Sequence, residues 1–473
     1  MKTSKPTGVP GACGTIWILL LLFLLSACAH YPVNPPLENV DTTEREIDTT
    51  IPAPHEGAKD FFLVLAFSGG GTRAAAFAYG VLEALNSVKI PDSTLSAKQK
   101  NRTLLEDVDF ISSVSGGSFT AAYYGLHGDR IFEDFKERFL LHNVQGGLLA
   151  RILFNPFNWF RLGSSKFGKS DLAAEYYDDI LFKGATFGDM SKRNGPLIRI
   201  QATDMSSGFP FGFTAPTFSI ICSDLESFPV SRAVAASAAF PGPFTPIVLK
   251  NYAGKCGFKE PRWIQEAVSQ RDTASREYHT AKRMHEYFDG ESKQFIHLID
   301  GGVSDNLGVR GPTEIVAVMG GEKSFEEMHM EKPRRFALIV VNASTPSKHK
   351  WRIIDRLPGL TDIIGKTSDI MLQSYNFETM FLLRKSLKEL EQRSSEKGAQ
   401  HPPIQTYLMD VGFDALTEKA EQMEFAEIPT SLYLPEETVD RIRLAARQIL
   451  FSLPEFKKLV SDLGGEIPDN LSE

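Results

Sequence analysis

The stretch Ile111-Ser112-Ser113-Val114-Ser115-Gly116-Gly117 has the pattern of a buried strand that runs into a sharp turn with a serine at its apex. A nucleophilic hydroxyl must stand clear of the sheet, and two glycines directly after it let the backbone turn tightly and begin a helix without a side-chain clash. Ser115 is therefore the candidate nucleophile. Alone, the pattern also fits a plain Ser/Gly-rich turn, because Ser113 stands where the usual elbow has glycine.

A second glycine-rich turn lies upstream, at Ser68-Gly69-Gly70-Gly71-Thr72-Arg73. It follows the apolar stretch 61–67 and precedes an Ala-rich segment through Leu85, an order that predicts strand, loop and helix. The amides of Gly69 to Gly71 and the positive end of the helix form a candidate anion site. The anion is either a phosphate or the oxyanion formed when an ester is attacked. The chain lacks the lysine-bearing phosphate loop and the dinucleotide spacing, which favours the oxyanion.

The third candidate, Asp300, ends an apolar strand in Phe295-Ile296-His297-Leu298-Ile299-Asp300-Gly301-Gly302. An open α/β sheet gathers its chemistry at the carboxyl ends of its strands, so the glycine loop, Ser115 and Asp300 are expected to converge on one crevice. A partly desolvated carboxylate within hydrogen-bond reach can accept the serine proton, which makes Asp300 the candidate base. The alternative is an aspartate that only caps a turn or a helix.

Histidine is the other common base for a nucleophilic serine. His297 lies three residues before Asp300, and on a regular strand the two side chains point to opposite faces. The remaining histidines that we considered have no surrounding signature, and they are His127, His142, His279 and His285. A Ser/Asp pair is therefore favoured over a Ser/His/acid triad.

With these motifs in this order, the chain resembles the patatin-like phospholipases, acyl hydrolases that use a Ser/Asp dyad. The matching segments are the glycine loop 69–73, the elbow 113–117, Asp300-Gly301-Gly302, and the Ala/Ser-rich stretch 231–241. The resemblance covers roughly residues 61–310. Together with alternating strand and helix patterns, it implies an α/β fold of three layers around a mostly parallel central sheet.

Two positions depart from the family pattern. Ser68 stands where many members have aspartate, and Ser113 replaces the first glycine of the elbow. We expect Ser113 to be tolerated if the strand leaves space for its hydroxymethyl group. Arg73, directly after the glycines, either supports the oxyanion loop, attracts a lipid phosphate, or is simply solvated.

The N-terminus has the pattern of a secretory signal, with Lys2 and Lys5 before the apolar run 16–25. The run is short for a bilayer span, and Leu25-Ser26-Ala27-Cys28 matches the bacterial lipobox. We expect residues 1–27 to be a lipoprotein signal peptide and Cys28 to carry acyl chains that hold the protein on a membrane. The alternative is an uncut membrane anchor.

Position 29 is alanine and not the aspartate that retains enteric-type lipoproteins in the inner membrane. By resemblance, the expected location is the cell envelope, on the periplasmic face of the outer membrane. Residues 28–60 are rich in Pro, Thr, Asp and Glu and are predicted to form a flexible tether.

Composition fits a globular enzyme, with 42% hydrophobic and 23% charged residues in a chain of 473. A net charge of −8 without a basic run argues against nucleic acid as a partner. Beyond Cys13 and Cys28, the chain has Cys222 and Cys256, which form either one disulfide in an oxidising compartment or two separate buried thiols. No zinc-type spacing of Cys and His occurs, so no metal or cofactor is expected.

The remaining segments are assigned by pattern. Residues 61–345 are predicted to be the catalytic domain, and 346–473 a mostly helical extension packed on it, the alternative being a separate partner-binding module. The charged stretch 261–293 is predicted to be an inserted, solvated helix pair. The aromatic stretch 147–162, with interleaved arginines, is either a lipid-facing lid or a plain core helix and loop.

The sequence therefore predicts a membrane-anchored serine acyl hydrolase acting on phospholipids or related lipids. Ser115 forms the acyl intermediate, Asp300 activates it, and the amides of Gly69 to Gly71 bind the oxyanion. Two alternatives stay open. One is a small-ester or thioester hydrolase, and the other is a non-catalytic envelope lipoprotein that keeps the fold as a lipid-binding or assembly module.

Overall fold

The computed structural model describes residues 33–38, 61–91, 101–310, 313, 334–345, 355, 357, 359–396 and 403–468. The predicted signal peptide, the acylated Cys28 and most of the predicted tether lie outside these residues. Within them, no helix combines the length and the apolar character that crossing a membrane requires.

The fold consists of a main β-sheet, the helices on its two faces, and a small antiparallel sheet of two strands, β2 and β3. The strands are β1 (Phe61–Phe67), β2 (Lys89–Pro91), β3 (Asn101–Thr103), β4 (Val108–Val114), β5 (Leu197–Asp204), β6 (Phe209–Phe213), β7 (Ile247–Lys250), β8 (Phe295–Asp300), β9 (Arg335–Asn342) and β10 (Gln405–Gly412). The main helices are α1 (Gly71–Ser87), α2 (Gly116–His127), α3 (Ile131–Leu140, which has π-helical geometry), α4 (Val144–Phe154), α5 (Pro156–Leu162), α6 (Lys169–Tyr177), α7 (Phe187–Ser191), α8 (Ala215–Ile220), α9 (Val230–Ser237), α10 (Arg262–Gln270), α11 (Arg276–Phe288), α12 (Gly302–Asp305), α13 (Leu360–Glu396), α14 (Lys419–Phe425), α15 (Glu436–Ser452) and α16 (Pro454–Asp462).

The main sheet has the order β10-β9-β1-β4-β5-β8-β7, and β6 pairs with the carboxyl-terminal part of β5, residues 200–204. The strands from β10 to β5 are parallel, whereas β6 and β8 run antiparallel to β5 and β7 runs antiparallel to β8. The predicted α/β fold with a mostly parallel central sheet is confirmed.

Helices cover both faces of the sheet and give it three layers. Along β1, Leu63 packs into the core shared with α1, α2 and α15, whereas Val64 points to the other face. There it meets the cluster that includes Met380 and Leu383 of α13. A strand buried on both faces needs apolar residues at every position, which is why 61–67 shows no polar alternation.

Strand β8 reaches the centre of the sheet from the opposite direction to β4. Gln201 of β5 pairs with Val114 of β4 on one edge and with β6 on the other. The next residue, Ala202, pairs with Asp300 of β8 and again with β6. Strands β4 and β8 therefore occupy the same edge of β5 and meet head to head. The carboxyl ends of β4 and β8 converge, as expected. They do so because β8 runs antiparallel to β5 and meets β4 end to end, and not because all the strands are parallel.

The C-terminal part is built into the same sheet. Strand β10 pairs with β9 along its whole length, and α15 packs on α1, where Arg443 forms a salt bridge of 2.6 Å with Glu83. The sequence predicted a mostly helical extension packed on the core. Strand β10 was not predicted because its apolar run, Tyr407-Leu408-Met409, is short.

Residues 33–38 lie against the body of the protein. The side chain of Asn34, 2% exposed, donates hydrogen bonds to Ser223 Oγ (2.8 Å) and to the carbonyl oxygen of Lys250 (3.0 Å). It accepts one from the amide of Lys250 (2.7 Å), and the Tyr252 hydroxyl donates to the Asn34 carbonyl oxygen (2.9 Å). Residues 28–60 were predicted to form a flexible tether. Of these, residues 33–38 are instead held against the body of the protein by the buried side chain of Asn34.

The stretch 261–293 is a helix pair, as predicted. Helices α10 and α11 pack on each other through Ile264 and Ala281, and their outer faces are largely exposed. Behind them, the ammonium of Lys293 contacts the buried carboxylate of Asp204 at 2.6 Å, and the hydroxyl of Tyr287 donates to the same carboxylate at 2.8 Å. These bonds hold the pair at the carboxyl end of β5.

Cys222 and Cys256 form a disulfide, which decides between the two alternatives left by the sequence. The two cysteines are 34 residues apart in the chain, and they share a small apolar cluster with Tyr252 and Leu37. The bridge thus lies directly beneath the docked N-terminal segment.

The Cys222→Ala/Cys256→Ala variant is expected to lose about 3–4 kcal/mol of unfolding free energy, because the bridge no longer restricts the unfolded chain. Urea unfolding of the oxidised parent and the variant measures the difference. Dithiothreitol should lower the melting temperature of the parent and leave that of the variant unchanged. A parent that does not respond to the reductant would contradict a stabilising bridge.

Candidate active site

Ser115 occupies a strained turn between the last residue of β4 and the first residue of α2. Its backbone has φ 50° and ψ −120°, a conformation that L-residues rarely adopt. Such strain is typical of a nucleophile elbow, where it lifts the hydroxyl above the sheet. The predicted strand, serine and helix start are all present at the predicted positions.

The elbow and the glycine loop touch through their backbones. A Cβ atom on Gly116 would lie 2.1 Å from the carbonyl oxygen of Gly71, and one on Gly69 would lie 3.3 Å from Ser115 Cβ. No side chain fits between them, so glycine is required at position 116 for a steric reason. The glycine loop and Ser115 are therefore brought together as the sequence predicted.

The Ser115 hydroxyl donates a hydrogen bond to Asp300 Oδ2, at 2.8 Å. The other carboxylate oxygen, Oδ1, accepts from the amide of Gly302, also at 2.8 Å. Asp300 is 5% exposed. Burial raises its pKa to about 6, although the hydrogen bonds from Gly302 and Ser115 act in the opposite direction. The carboxylate is thus both in reach of the serine proton and basic enough to accept it near neutral pH.

The glycine loop offers two free amides, not three. The amide of Gly69 donates to the carbonyl oxygen of Asn306 at 3.0 Å, so its predicted role as an oxyanion donor is wrong. A side chain there would instead meet Asn306 Oδ1 at 2.7 Å, which explains the glycine. In the part of the chain that the structure describes, the amides of Gly70 and Gly71 have no acceptor. They lie at the N-terminus of α1, where an anion is stabilised.

Arg73 supports the loop from behind. It is buried, and its Nε donates to the carbonyl oxygen of Ala343 at 3.0 Å. Its other nitrogens donate to the carbonyl oxygen of Ile428 and, at 3.2 Å, to Thr430 Oγ1. Of the three roles considered for Arg73, loop support is the one that this geometry fits. A buried, fully engaged guanidinium is poorly placed to meet a lipid phosphate.

Both departures from the family pattern are accommodated by hydrogen bonds. The Ser68 hydroxyl accepts from the amide of Ala343 at 2.8 Å and donates to the carbonyl oxygen of Gly69 at 3.2 Å. The Ser113 hydroxyl donates to the carbonyl oxygen of Arg199 on β5, at 3.3 Å. The strand leaves room for the hydroxymethyl group of Ser113, as expected.

Ser237, in the Ala/Ser-rich stretch 231–241, is a further residue of the site, and the sequence did not indicate its role. Its hydroxyl oxygen accepts a hydrogen bond from the Ser115 amide (2.8 Å), lies 3.0 Å from Ser118 Oγ, and donates to the carbonyl oxygen of Gln201 (2.6 Å). It therefore joins the elbow to β5 and to the end of α9. The only signal in the sequence was a serine among alanines, which does not reveal a contact 122 residues away in the chain.

Ser237→Ala is expected to lower kcat about tenfold and to destabilise the fold by about 1–3 kcal/mol, because the Ser115 amide loses its buried acceptor. The kinetic constants should show a fall in kcat with little change in KM. Ser118→Ala is the matched control, since Ser118 contacts Ser237 Oγ but its hydroxyl does not hold the Ser115 amide. Equal losses in both variants would contradict a specific role for Ser237 in positioning the elbow.

The histidines considered as bases have other surroundings. His297 lies exposed on β8, whereas Asp300 is buried, in agreement with opposite faces. His127 packs on the ring of Tyr123, and His142 is within hydrogen-bond distance of the Tyr176 hydroxyl. His279 contacts the carbonyl oxygen of Thr273, and His285 contacts the carboxylate of Glu260. Across the described residues, no cluster of His, Cys, Asp or Glu is arranged to hold a metal ion.

The family profile of patatin-like phospholipases matches residues 65–312, which is more than half of the chain. The chain therefore belongs to the patatin-like phospholipase family. No curated protein matches it.

Two solved structures of human GIVD cytosolic phospholipase A2 are similar to this chain. The first has 11% sequence identity and a TM-score of 0.38. The second, in complex with methyl gamma-linolenyl fluorophosphonate inhibitor and terbium chloride, has 14% identity and a TM-score of 0.36. Each similarity covers 86% of this chain but only 62% and 59% of the phospholipase chains, so this chain spans about three fifths of their length.

Proposed function

We propose that this protein is a serine acyl hydrolase that cleaves fatty acyl esters of phospholipids or related lipids. Ser115 attacks the ester carbonyl and gives its proton to Asp300, while the amides of Gly70 and Gly71 stabilise the oxyanion. The acyl group passes to Ser115 Oγ and the alcohol leaves with a proton from Asp300. Water, deprotonated by the same carboxylate, then releases the fatty acid and restores the serine.

One observation carries this proposal. A serine in a strained backbone conformation donates a 2.8 Å hydrogen bond to a buried carboxylate with a raised pKa. Both the strain and the buried charge destabilise the fold, and neither is needed to bind a lipid. This argues against the non-catalytic lipid-binding module. Membership of the patatin-like phospholipase family supports a lipid ester over a small ester or thioester as the substrate.

Fatty acid release from a panel of phospholipids, lysophospholipids and short-chain esters tests the proposal. The parent is expected to release fatty acid from at least one lipid class, and Ser115→Ala to release none. A fluorophosphonate probe should label the parent on Ser115 and leave the variant unlabelled. Release that survives in Ser115→Ala would refute the mechanism. Activity on short-chain esters alone would favour the small-ester alternative.

We also propose that Cys28 is acylated and anchors the enzyme in the cell envelope, on the periplasmic face of the outer membrane. The lipobox Leu25-Ser26-Ala27-Cys28 and the non-aspartate at position 29 support this. A disulfide between Cys222 and Cys256 fits an oxidising compartment. Alkyne-palmitate labelling in cells, with Cys28→Ala as control, tests the anchor. Labelling that persists in Cys28→Ala would refute it.

The pH dependence of the reaction follows from the raised pKa of Asp300. The base acts only when ionised, so kcat/KM on a soluble ester should be level above about pH 7 and fall below pH about 6, the pKa of the buried carboxyl. The limiting slope is about tenfold per pH unit. A profile that stays level down to pH about 4, the usual range of an exposed carboxyl, would contradict this role for Asp300.

A further inference from the structure

We propose that helices α4 and α5 form a docking surface for a lipid bilayer, placed at the rim of the active site. This inference rests on the proposed function and adds to it the face by which the enzyme meets its substrate. The two helices and the chain to residue 168 are here called the α4–α5 arch, residues 144–168.

The outer face of the arch is apolar and uncovered. Phe154 is 81% exposed, Phe157 67% and Trp159 55%, with Leu149 and Leu153 beside them. An exposed group of large apolar side chains of this kind marks an interaction surface. The indole nitrogen of Trp159 already donates to the carbonyl oxygen of Ile152, so the exposed part of this side chain is hydrocarbon.

The two arginines of the arch pair with acidic side chains of the segment at its base, residues 175–179. Arg151 forms a salt bridge with Asp179 at 2.6 Å, and Arg161 forms one with Glu175. The sequence pattern of aromatic residues with interleaved arginines therefore separates, in the fold, into an apolar outer face and a paired, polar base. Such a division is typical of a segment that rests in a bilayer interface.

The arch begins beside the glycine loop. Gln145, near the start of α4, accepts a hydrogen bond from the Ser431 hydroxyl at 3.1 Å. The carbonyl oxygen of Ser431 accepts from the amide of Thr72 at 2.8 Å, next to Gly71. Only one residue thus separates the arch from the loop that holds the free amides.

The arch ends on the other side of the site, beside β7. The amide of Ser170 donates to Thr245 Oγ1 at 3.3 Å, and Gly168 lies against the same threonine. Strand β7 pairs with β8, which ends at Asp300. The arch therefore crosses the end of the sheet at which the dyad opens, from the nucleophile side to the base side.

The position of the N-terminal segment favours a lipid bilayer as the partner of the apolar outer face of the arch. Val33 is the fifth residue after Cys28, so the chain between them reaches about 17 Å when fully extended. The segment is clamped to Lys250, which pairs with Phe295 at the far end of β8 from Asp300. That point lies beyond Asp300 at the carboxyl end of β5. The clamp at Lys250 is five residues along the chain from Thr245, where the arch ends. An acylated Cys28 would hold this side of the protein close to the membrane, and we infer that the arch faces the bilayer there.

Tryptophan quenching in the mature, lipidated protein, which lacks the signal peptide and with it Trp17, tests the docking surface directly. The chain is reconstituted into phosphatidylethanolamine/phosphatidylglycerol vesicles, with and without dibrominated acyl chains. The bromolipid-dependent loss of emission should fall clearly in Trp159→Phe and remain in the matched control Trp263→Phe, on α10. Quenching that is equal in the parent and in Trp159→Phe would overturn the proposal. This measurement does not require catalysis, so it decides docking even if hydrolysis fails.

An activity comparison tests the consequence for the substrate. Phe154→Ser/Phe157→Ser should lower fatty acid release from vesicles at least about tenfold, because two apolar anchors are lost. Hydrolysis of a water-soluble short-chain ester should not change. Leu444→Ser, on the exposed face of α15, is the control and should leave both activities intact. Equal vesicle activity in the parent and the double variant would overturn the proposal. It would also be overturned if light scattering showed a dimeric parent and a monomeric double variant, because the apolar face would then bind a second copy of the chain.

Discussion

Asp300→Asn is expected to lower kcat by about 10²- to 10⁴-fold, the range that general base catalysis contributes. The asparagine side chain has nearly the same shape and still hydrogen-bonds to Ser115 and to the amide of Gly302, but it cannot accept a proton. KM on a soluble ester should change little, because the carboxylate acts on the serine and not on the bound substrate. Steady-state kinetics on a soluble ester, together with fluorophosphonate labelling of Ser115, measures both effects.

The same variant should be at least as stable as the parent near neutral pH. Burial raises the pKa of Asp300 from 3.8 to about 6, so between these values the folded protein binds more protons at this site than the unfolded chain. The contribution of Asp300 to stability therefore declines as pH rises through this window and remains low above it. Asparagine removes that loss, and urea unfolding at pH 5 and pH 8 should show the larger gain at pH 8.

Kinetics and urea unfolding of Asp300→Asn, taken together, distinguish the loss of the catalytic base from the loss of the folded structure. A variant that is inactive and unfolds earlier than the parent would leave the role of the carboxylate open to a structural explanation, and Asp300→Glu would then serve as a second variant. A glutamate keeps the charge but displaces it by one methylene, so partial activity with a low kcat is expected. Full activity in Asp300→Asn would show that Asp300 is not the base.

The local features of the site were predictable because each one follows from a short-range constraint. A strand that ends in Val114-Ser115-Gly116-Gly117 has few ways to continue, and the positive φ at Ser115 follows from the sharp turn. The glycine run before α1 is similarly limited by φ values of 142° at Gly70 and 62° at Gly71. These motifs identified the candidate nucleophile, the loop and the candidate base without knowledge of the sheet order.

What the sequence did not predict depends on contacts between distant segments. The direction of β8 is set by its pairing with the end of β5, and nothing in 295–302 distinguishes a parallel from an antiparallel strand. The loss of Gly69 as an oxyanion donor follows from Asn306, more than 200 residues later in the chain. The clamp on Asn34 requires Lys250 in the same way. A pattern of polar residues indicates solvent exposure on average, and a single buried amide overrules it.

Gly116→Ala is expected to destabilise the fold by about 2–4 kcal/mol and to lower kcat about 10²-fold. The new Cβ would lie 2.1 Å from the carbonyl oxygen of Gly71 and 2.7 Å from its nitrogen, so α2 and the glycine loop must move apart. The Cβ atom is fixed by the backbone of residue 116, and the atoms that it meets belong to the backbone of Gly71. Neither can rotate away as the end of a side chain can. The displacement moves the free amides away from Ser115, and the oxyanion loses preorganised donors.

The matched control for this variant is Gly163→Ala, after the end of α5. There the backbone has φ −75°, and a Cβ would meet its nearest neighbours at 3.4 Å, which is ordinary contact. Its stability should lie within about 0.5 kcal/mol of the parent, with kcat on a soluble ester unchanged. If Gly116→Ala matched Gly163→Ala in urea unfolding and in kcat, the glycine loop and the elbow would not be in the close contact that places the oxyanion donors beside the nucleophile. A loss of kcat at nearly full stability would instead locate the whole effect in the separation of Gly71 from Ser115, since the fold would have absorbed the displacement and the chemistry would not.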